Sequence, residues 1–255
     1  MNPSYSKNGF VISRKLFDKS ELKAVSAVTN YFHLSWIENN KAFYKERAVN
    51  SAYLTAKEYL NDEQRAVLFQ LIGSKKIMAL INSLLTNKPC FMNAQLFFDP
   101  YNTSQKNYWH RDPQYHLNLA EQQAALTGPQ VIHIRIPLKD ERGIEIIPAS
   151  HKNWDSDEAL KVRLETDGRK NSDDLEAGLA IELNAGDVLA FSANAIHRGL
   201  YGQDRLSLDL LFCDFDPSMS QFIKDDCLPD MAIIKQLQDP SALLNTIELK
   251  AKNMN

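Results

Sequence analysis

Cysteine is scarce in this chain of 255 residues: Cys90, Cys213 and Cys227 are odd in number and far apart. That excludes a disulfide framework or a zinc ribbon and suits reduced thiols in a cytoplasm. No apolar run is long enough to cross a membrane. The first eight residues lack the apolar core of a secretory leader, and the last four, Lys252-Asn253-Met254-Asn255, are no peroxisomal address. An excess of charge is missing too: 29 basic against 32 acidic residues give a formal charge of -3 and no basic stripe for nucleic acid. Internal repeats, low-complexity tracts and linkers are absent, so residues 1–255 are expected to form a single domain. The expectation is a cytoplasmic protein with neither a nucleic-acid nor a membrane partner, its oligomeric state open.

What is present centres on Trp109-His110-Arg111-Asp112, after a strand-like run over 91–98. In an extended segment residues two apart share a face, so His110 and Asp112 can converge on one point. Taken alone, His-X-Asp is more often a local strand-end hydrogen bond than half of a metal site. His197 supplies the complement, in Ala195-Ile196-His197-Arg198-Gly199 just past the strand-like residues 188–191. Two histidines and a carboxylate on one face of a metal leave adjacent positions open, an arrangement that suits non-haem iron oxygenases. Over 205–212, Arg205, Ser207 and Asp209 alternate with Leu206, Leu208, Leu210 and Phe212. One face is therefore apolar, and the other sets a guanidinium beside a hydroxyl, a pair that can grip an anionic cosubstrate.

Together with Gly9-Phe10-Val11-Ile12-Ser13-Arg14, Gly143-Ile144-Glu145-Ile146-Ile147-Pro148-Ala149-Ser150-His151 and Ala185-Gly186-Asp187, these motifs resemble the phytanoyl-CoA dioxygenase family of Fe(II)- and 2-oxoglutarate-dependent oxygenases, from about Gly9 to about Phe212. The resemblance implies a mainly β fold with flanking α: a double-stranded β-helix, the cupin-like jelly-roll, with helices packed on one side. It implies Fe(II) held by His110, Asp112 and His197, 2-oxoglutarate held by Arg205 and Ser207, and O2 as co-reactant. The product would be a hydroxylated small molecule, with succinate and carbon dioxide. A carboxylate at Asp112, where halogenating relatives carry a small residue, points to hydroxylation. The chain departs from the family at Ala149, where glycine is usual, and at Arg205, which stands closer to the distal histidine than usual and leaves Arg198 as a rival clamp.

In chain order, a helical buttress is expected over about 14–88, a β core over about 89–213 and C-terminal helices over about 228–250. Asp18 and Glu21 form a capping box before a helical pattern, and further helices are expected over 55–71 and 74–85. Residues 36–51 have no clear period and read as a surface loop. Asn93 and Gln95 share one face of their strand and are candidate cosubstrate contacts. His133 and Arg135 do the same over 131–138 and, with Trp109, are candidate substrate contacts. The charged run 139–142 ending in Gly143 predicts a hairpin loop, and residues 179–191 predict a second hairpin. Residues 152–178 read as a surface excursion, either a lid or a mobile insertion. Asp209 is expected to orient Arg205.

Two readings from other classes stay open at this level. Two histidines and an aspartate also bind zinc and activate water for hydrolysis. A cupin-like protein can also hold a metal without turning anything over.

Overall fold

In the computed structural model, which describes residues 2–252, the strand β4 (Val131–Pro137) shows how the fold is built. Ile132, Ile134 and Ile136 point to one side and join a large apolar core, while His133 and Arg135 point to the other. The strand β9 (Leu206–Asp214) repeats the pattern, with Leu206, Leu208, Leu210 and Phe212 outward and Ser207 and Asp209 inward. These strands belong to a six-stranded antiparallel sheet in the order β1-β7-β4-β9-β3-β2, where β1 is Phe10–Ser13, β2 Asn50–Ala52, β3 Pro89–Phe98 and β7 Val188–Ser192. Facing it is a three-stranded sheet, β6-β5-β8, from Leu179–Leu183, Glu141–Ile146 and His197–Gly199. The layout is the expected jelly-roll.

Helices cover the outer face of the larger sheet. The helix Lys19–Asn39 starts with the expected capping box, Asp18 accepting from the Ser20 and Glu21 amides while Glu21 accepts from the Asp18 amide. It buries Leu22, Val25, Val28, Phe32 and Trp36 against the sheet with help from Asp62–Ile72, Lys75–Leu84 and Ser241–Lys252. Burying side chains of this size contributes about 1.5–3 kcal/mol each, so the helical layer is as much a part of the core as the sheet. No single helix among the described residues is long and apolar enough to cross a membrane.

Several expectations need correction. The helix expected over 55–71 begins only at Asp62, because Asn61 supplies the cap that stops it. Residues 36–51 are not a loop: the helix that starts at Lys19 runs on to Asn39, Lys41–Glu46 forms another, and β2 follows. Of the C-terminal helices expected over about 228–250, the first is only Met231–Ile234 and the second is Ser241–Lys252. The excursion 152–178 carries a helix, Asp157–Leu164, and is tied down by the Trp109 amide on the Asn171 carbonyl and by Arg198 on the Ser172 carbonyl. Residues 253–255, on which the targeting expectation partly rested, lie outside the described residues.

Neither predicted hairpin exists. β4 lies in the large sheet and β5 in the small one, and β6 and β7 are divided in the same way. Both turns are corners at which the chain crosses between layers. The first corner also contains a bulge between Glu141 and Ile144, built on Gly143 at φ 76. A Cβ at Gly143 would stand 1.8 Å from the Ile181 carbonyl oxygen, so only glycine fits. The extra residue turns Glu141 into the interior, on the same side as Ile144 and Ile146, and leaves Arg142 exposed.

Candidate metal centre and oxo-acid pocket

His110 and His197 are direct cross-strand neighbours. Each donates its amide to the other's carbonyl at 2.9 Å, which extends the small sheet by one residue and brings the ring centroids to 4.2 Å. In both, Nδ1 faces a backbone carbonyl two residues back, Tyr108 at 3.1 Å and Ala195 at 3.0 Å. That bond places the ring proton on Nδ1 and leaves the Nε2 lone pair free. Both Nε2 atoms turn to Asp112, at 3.5 Å from His110 and 3.9 Å from His197. One ligand atom from each of the three residues lies within 4.8 Å of the others, close enough to hold one metal ion.

Asp112 starts a short 3-10 turn, Asp112–Tyr115, and its amide donates to the Ala193 carbonyl. Between the histidine and the aspartate, Arg111 points the opposite way into the protein. Its buried guanidinium bonds Asp155 and the carbonyls of Ser150, Asn153 and Asn194. Ser150 Oγ in turn accepts from the Ile196 amide, next to His197. The turn before it holds Ala149 at φ 64, a left-handed conformation in which glycine is the relaxed choice. Arg111 thus links both halves of the triad to one turn, a role its place inside the motif did not disclose.

Behind Asp112 stands His133. Its Nε2 is 2.7 Å from Asp112 Oδ2, and its Nδ1 is 3.3 Å from Asp209 Oδ2. Phe191, its cross-strand partner, stacks on the imidazole at 4.7 Å and fixes the ring plane. Asp209 also takes Nε and Nη2 of Arg135 at 2.8 and 3.0 Å. A chain of charge therefore runs Asp112, His133, Asp209, Arg135. Loss of water would raise the Asp112 carboxyl, but the charge of His133 and its hydrogen bond outweigh it and hold it well below the usual carboxylate range. Burial pulls His133 down, while the Asp112 charge and the bonds to both carboxylates lift it, for a net rise to about 9. Burial, helped by the neighbouring His110, lowers His197 to about 3, so it stays a neutral imidazole able to ligate.

Further along the same interior face, Arg205 is buried at the entrance to β9, after a loop in which Gly202, Gln203 and Asp204 all have positive φ. Its Nε lies 3.5 Å from Glu141 Oε2, which also accepts from Ser207 Oγ at 2.6 Å. Phe97 and Tyr201 flank the guanidinium at 5.4 and 5.9 Å. Arg205 Nε, Arg135 Nη1 and Glu141 Oε1 are all buried without a hydrogen-bond partner among the described residues. Buried polar atoms are seldom left bare, and a cluster of them marks a place where something else binds.

Asp209 does not orient Arg205, as the sequence had implied; it is fully committed to Arg135 and His133. Arg198 is bound to Glu145 and Asp174 and covers the Trp109 ring at 4.6 Å. Trp109 itself is not at a substrate surface. It is fully buried among Ala159, Val162, Leu175 and Ile196, with its indole N–H on the Asp173 carbonyl. Asn93 accepts from the Tyr53 amide, and Gln95 faces Asp209 across the β3–β9 pairing. Glu141 and two tyrosines are additions to the expected set. Tyr108 and Tyr115 lie 5.2 and 5.7 Å from His110, and the Tyr115 hydroxyl donates to that of Tyr108 at 3.2 Å. They stand where the site opens, since the Asp112 side chain is 28% exposed and that of His133 only 5%. A separate cleft of about 420 Å³ at the β2 edge, lined by Trp36, Phe43, Tyr59 and Lys224, contains none of these residues.

The family model for phytanoyl-CoA dioxygenase matches residues 5–201, and the chain belongs to that family. No curated protein matches the sequence. Among solved structures, apo HygX from Streptomyces hygroscopicus is similar with a TM-score of 0.59 at 13% identity, over 82% of this chain and 84% of that one. EctD from S. alaskensis, solved with 2-oxoglutarate and 5-hydroxyectoine, gives 0.57 at 13% identity over 83% and 74%. SnoK from nogalamycin biosynthesis, described as a non-heme alpha ketoglutarate dependent carbocyclase, gives 0.57 at 15% identity over 84% and 82%. At such identities the likeness is one of fold.

Proposed function

We propose that this member of the phytanoyl-CoA dioxygenase family is an Fe(II)- and 2-oxoglutarate-dependent oxygenase that hydroxylates an unactivated C–H bond of a small molecule, the whole chain acting as one catalytic unit. The observation that carries the reading is the convergence of His110 Nε2, His197 Nε2 and the Asp112 carboxylate, with both imidazoles held in the ligating tautomer. The donor set suits iron, since two imidazoles and one carboxylate leave adjacent positions open. The unpartnered buried donors Arg205 Nε and Arg135 Nη1 mark room for an anion nearby. Solved relatives in complex with 2-oxoglutarate, EctD and a nickel form of HygX, lend support.

With Fe(II), 2-oxoglutarate and O2 bound, the centre supplies the oxidant that removes hydrogen from a C–H bond while 2-oxoglutarate becomes succinate and carbon dioxide. The residues of this chain do the rest. Asp112 fixes an anionic corner, and His133 holds it there through Oδ2. Arg205, steadied by Phe97 and Tyr201, takes the distal carboxylate with Ser207 beside it. Tyr108 and Tyr115 present two aromatic faces and a hydroxyl pair at the opening. They favour a substrate with a flat or hydroxylated surface.

Against the hydrolase reading stands the buried pair Arg135 and Arg205, for which water activation has no use. The test is an anaerobic titration of the Fe(II)-loaded protein with 2-oxoglutarate. The expected result is a weak visible charge-transfer band, followed in air by succinate release on a substrate screen. An iron-loaded, folded protein that gives no band overturns the proposal.

A further inference from the structure

Glu141 puts a carboxylate inside the pocket where an anionic cosubstrate would dock. Its side chain is fully buried; Oε2 is engaged by Ser207 and faces Arg205 Nε, and Oε1 has no partner. Around it stand Arg205 and Ser207 from the β9 end and Arg135 from β4, with Asp209 behind Arg135 and Tyr201 beside Arg205. Two guanidiniums thus meet two carboxylates, and the enclosure is neutral before any ligand enters. His133, on the far side of Asp209, is paired with Asp112. The distal carboxylate of 2-oxoglutarate would therefore be a third anion in the pocket with no third cation lining it, and a buried unpaired charge is strongly unfavourable.

The three carboxylates are not held alike. Asp209 accepts two bonds from Arg135 and one contact from His133, all of which favour its ionised form. Glu141 has one hydroxyl bond and a badly aligned Nε, and it offers a bare oxygen. A proton on Oε1 removes the excess charge and turns that orphan acceptor into a donor, and carboxyl groups forced together commonly share one proton.

We infer that Glu141 takes up one proton when 2-oxoglutarate binds, and that Glu141 Oε1–H then donates to the distal carboxylate while Oε2 keeps the Ser207 bond. The balance is one proton drawn from solvent to Glu141, with no other bond made or broken. The inference rests on the proposed role of Arg205 and the pocket as the oxo-acid clamp. Cosubstrate affinity becomes a function of pH, and the pocket distinguishes a dicarboxylate from a 2-oxo acid without a distal charge.

The experiment is anaerobic calorimetry of the Fe(II)-loaded protein with 2-oxoglutarate, in buffers of different ionisation enthalpy and over a range of pH. The wild type should take up about one proton per ligand, with Kd rising up to about tenfold per pH unit on the alkaline side. 2-Oxovalerate, which has the oxo-acid end and no distal carboxylate, should bind without that uptake. Glu141→Gln should abolish the uptake and flatten the pH profile. Binding of 2-oxoglutarate by the wild type with no proton uptake overturns the inference and leaves the clamp intact, as does an uptake that persists in Glu141→Gln. No binding at all overturns the clamp and the inference together. The wild-type measurement stands even if the variant fails to fold.

Discussion

His133 Nε2 lies 2.7 Å from Asp112 Oδ2 and ties a metal-facing carboxylate to the centre of the large sheet. In the proposed reading His133 is a positioning group, reaching a metal at the candidate centre only through Asp112. Removing such a partner of a ligand typically weakens metal binding about 10- to 100-fold. His133→Ala should therefore bind Fe(II) or Co(II) more weakly by that factor in an anaerobic titration, with the fold retained by circular dichroism. Unchanged metal affinity would show that Asp112 needs no such support.

Arg205 and Arg198 separate two possible clamps. Loss of a charge-assisted bidentate contact is worth about 3 kcal/mol, so Arg205→Ala should raise the Kd for 2-oxoglutarate about 100-fold. Arg198, held by Glu145 and Asp174, should tolerate alanine with little change in that Kd, at some cost in thermal stability because the Trp109 ring loses its cover. The reverse ranking would move the cosubstrate to the other face of the small sheet.

Gly199 offers a gentler probe of the same pocket. A Cβ there would stand 2.5 Å from Arg205 Nη1, so Gly199→Ala must push the guanidinium aside without touching a ligand. KM for 2-oxoglutarate should rise by about tenfold, equivalent to about 1.4 kcal/mol, while the metal affinity stays at the wild-type value. Steady-state kinetics with a metal titration on the same preparation will check both.

Acid should also act through His33, on the helix-covered side of the large sheet. His33 packs against Phe98 at 4.5 Å with Nδ1 buried and unpartnered, and burial, reinforced by Lys139, lowers it from 6.5 to about 4. The unfolded chain takes up the proton first, so this contribution is complete above pH 6.5 and is lost as pH falls towards 4. Its size is at most about 3 kcal/mol, reduced by partial exposure. His33→Phe should flatten the slope of unfolding free energy against pH in that window, measured by urea denaturation. An identical slope in the variant would assign the acid sensitivity to another group.

Much of the site is written in local pattern. His110, Asp112 and His197 could be named from residue types and spacing, because a two-residue period dictates which side chains share a face. The same period put His133 with Arg135, and Ser207 with Asp209, on one face of their strands, and the structure makes that face the interior. It failed at Glu141: counting back by twos from Ile146 and Ile144 places Arg142 inside, and the bulge at Gly143 reverses the order. Trp109 was misjudged because a neighbour of a ligand in sequence points to the opposite face in a strand, here into the cluster around Val162.

By itself, then, the sequence determined the alternation of the regular strands, the capping of the helix that starts at Lys19 and which three side chains are candidates to converge on a metal, all of which depend on residues close together along the chain. Only the tertiary structure decided that residues 139–142 and 184–187 are corners between sheets and not hairpins, that Asp209 belongs to Arg135, and that Arg205 meets Glu141. Those outcomes depend on which strands lie side by side and in what register, and that is fixed by packing one sheet against the other and the helices against both, across separations no local period can encode.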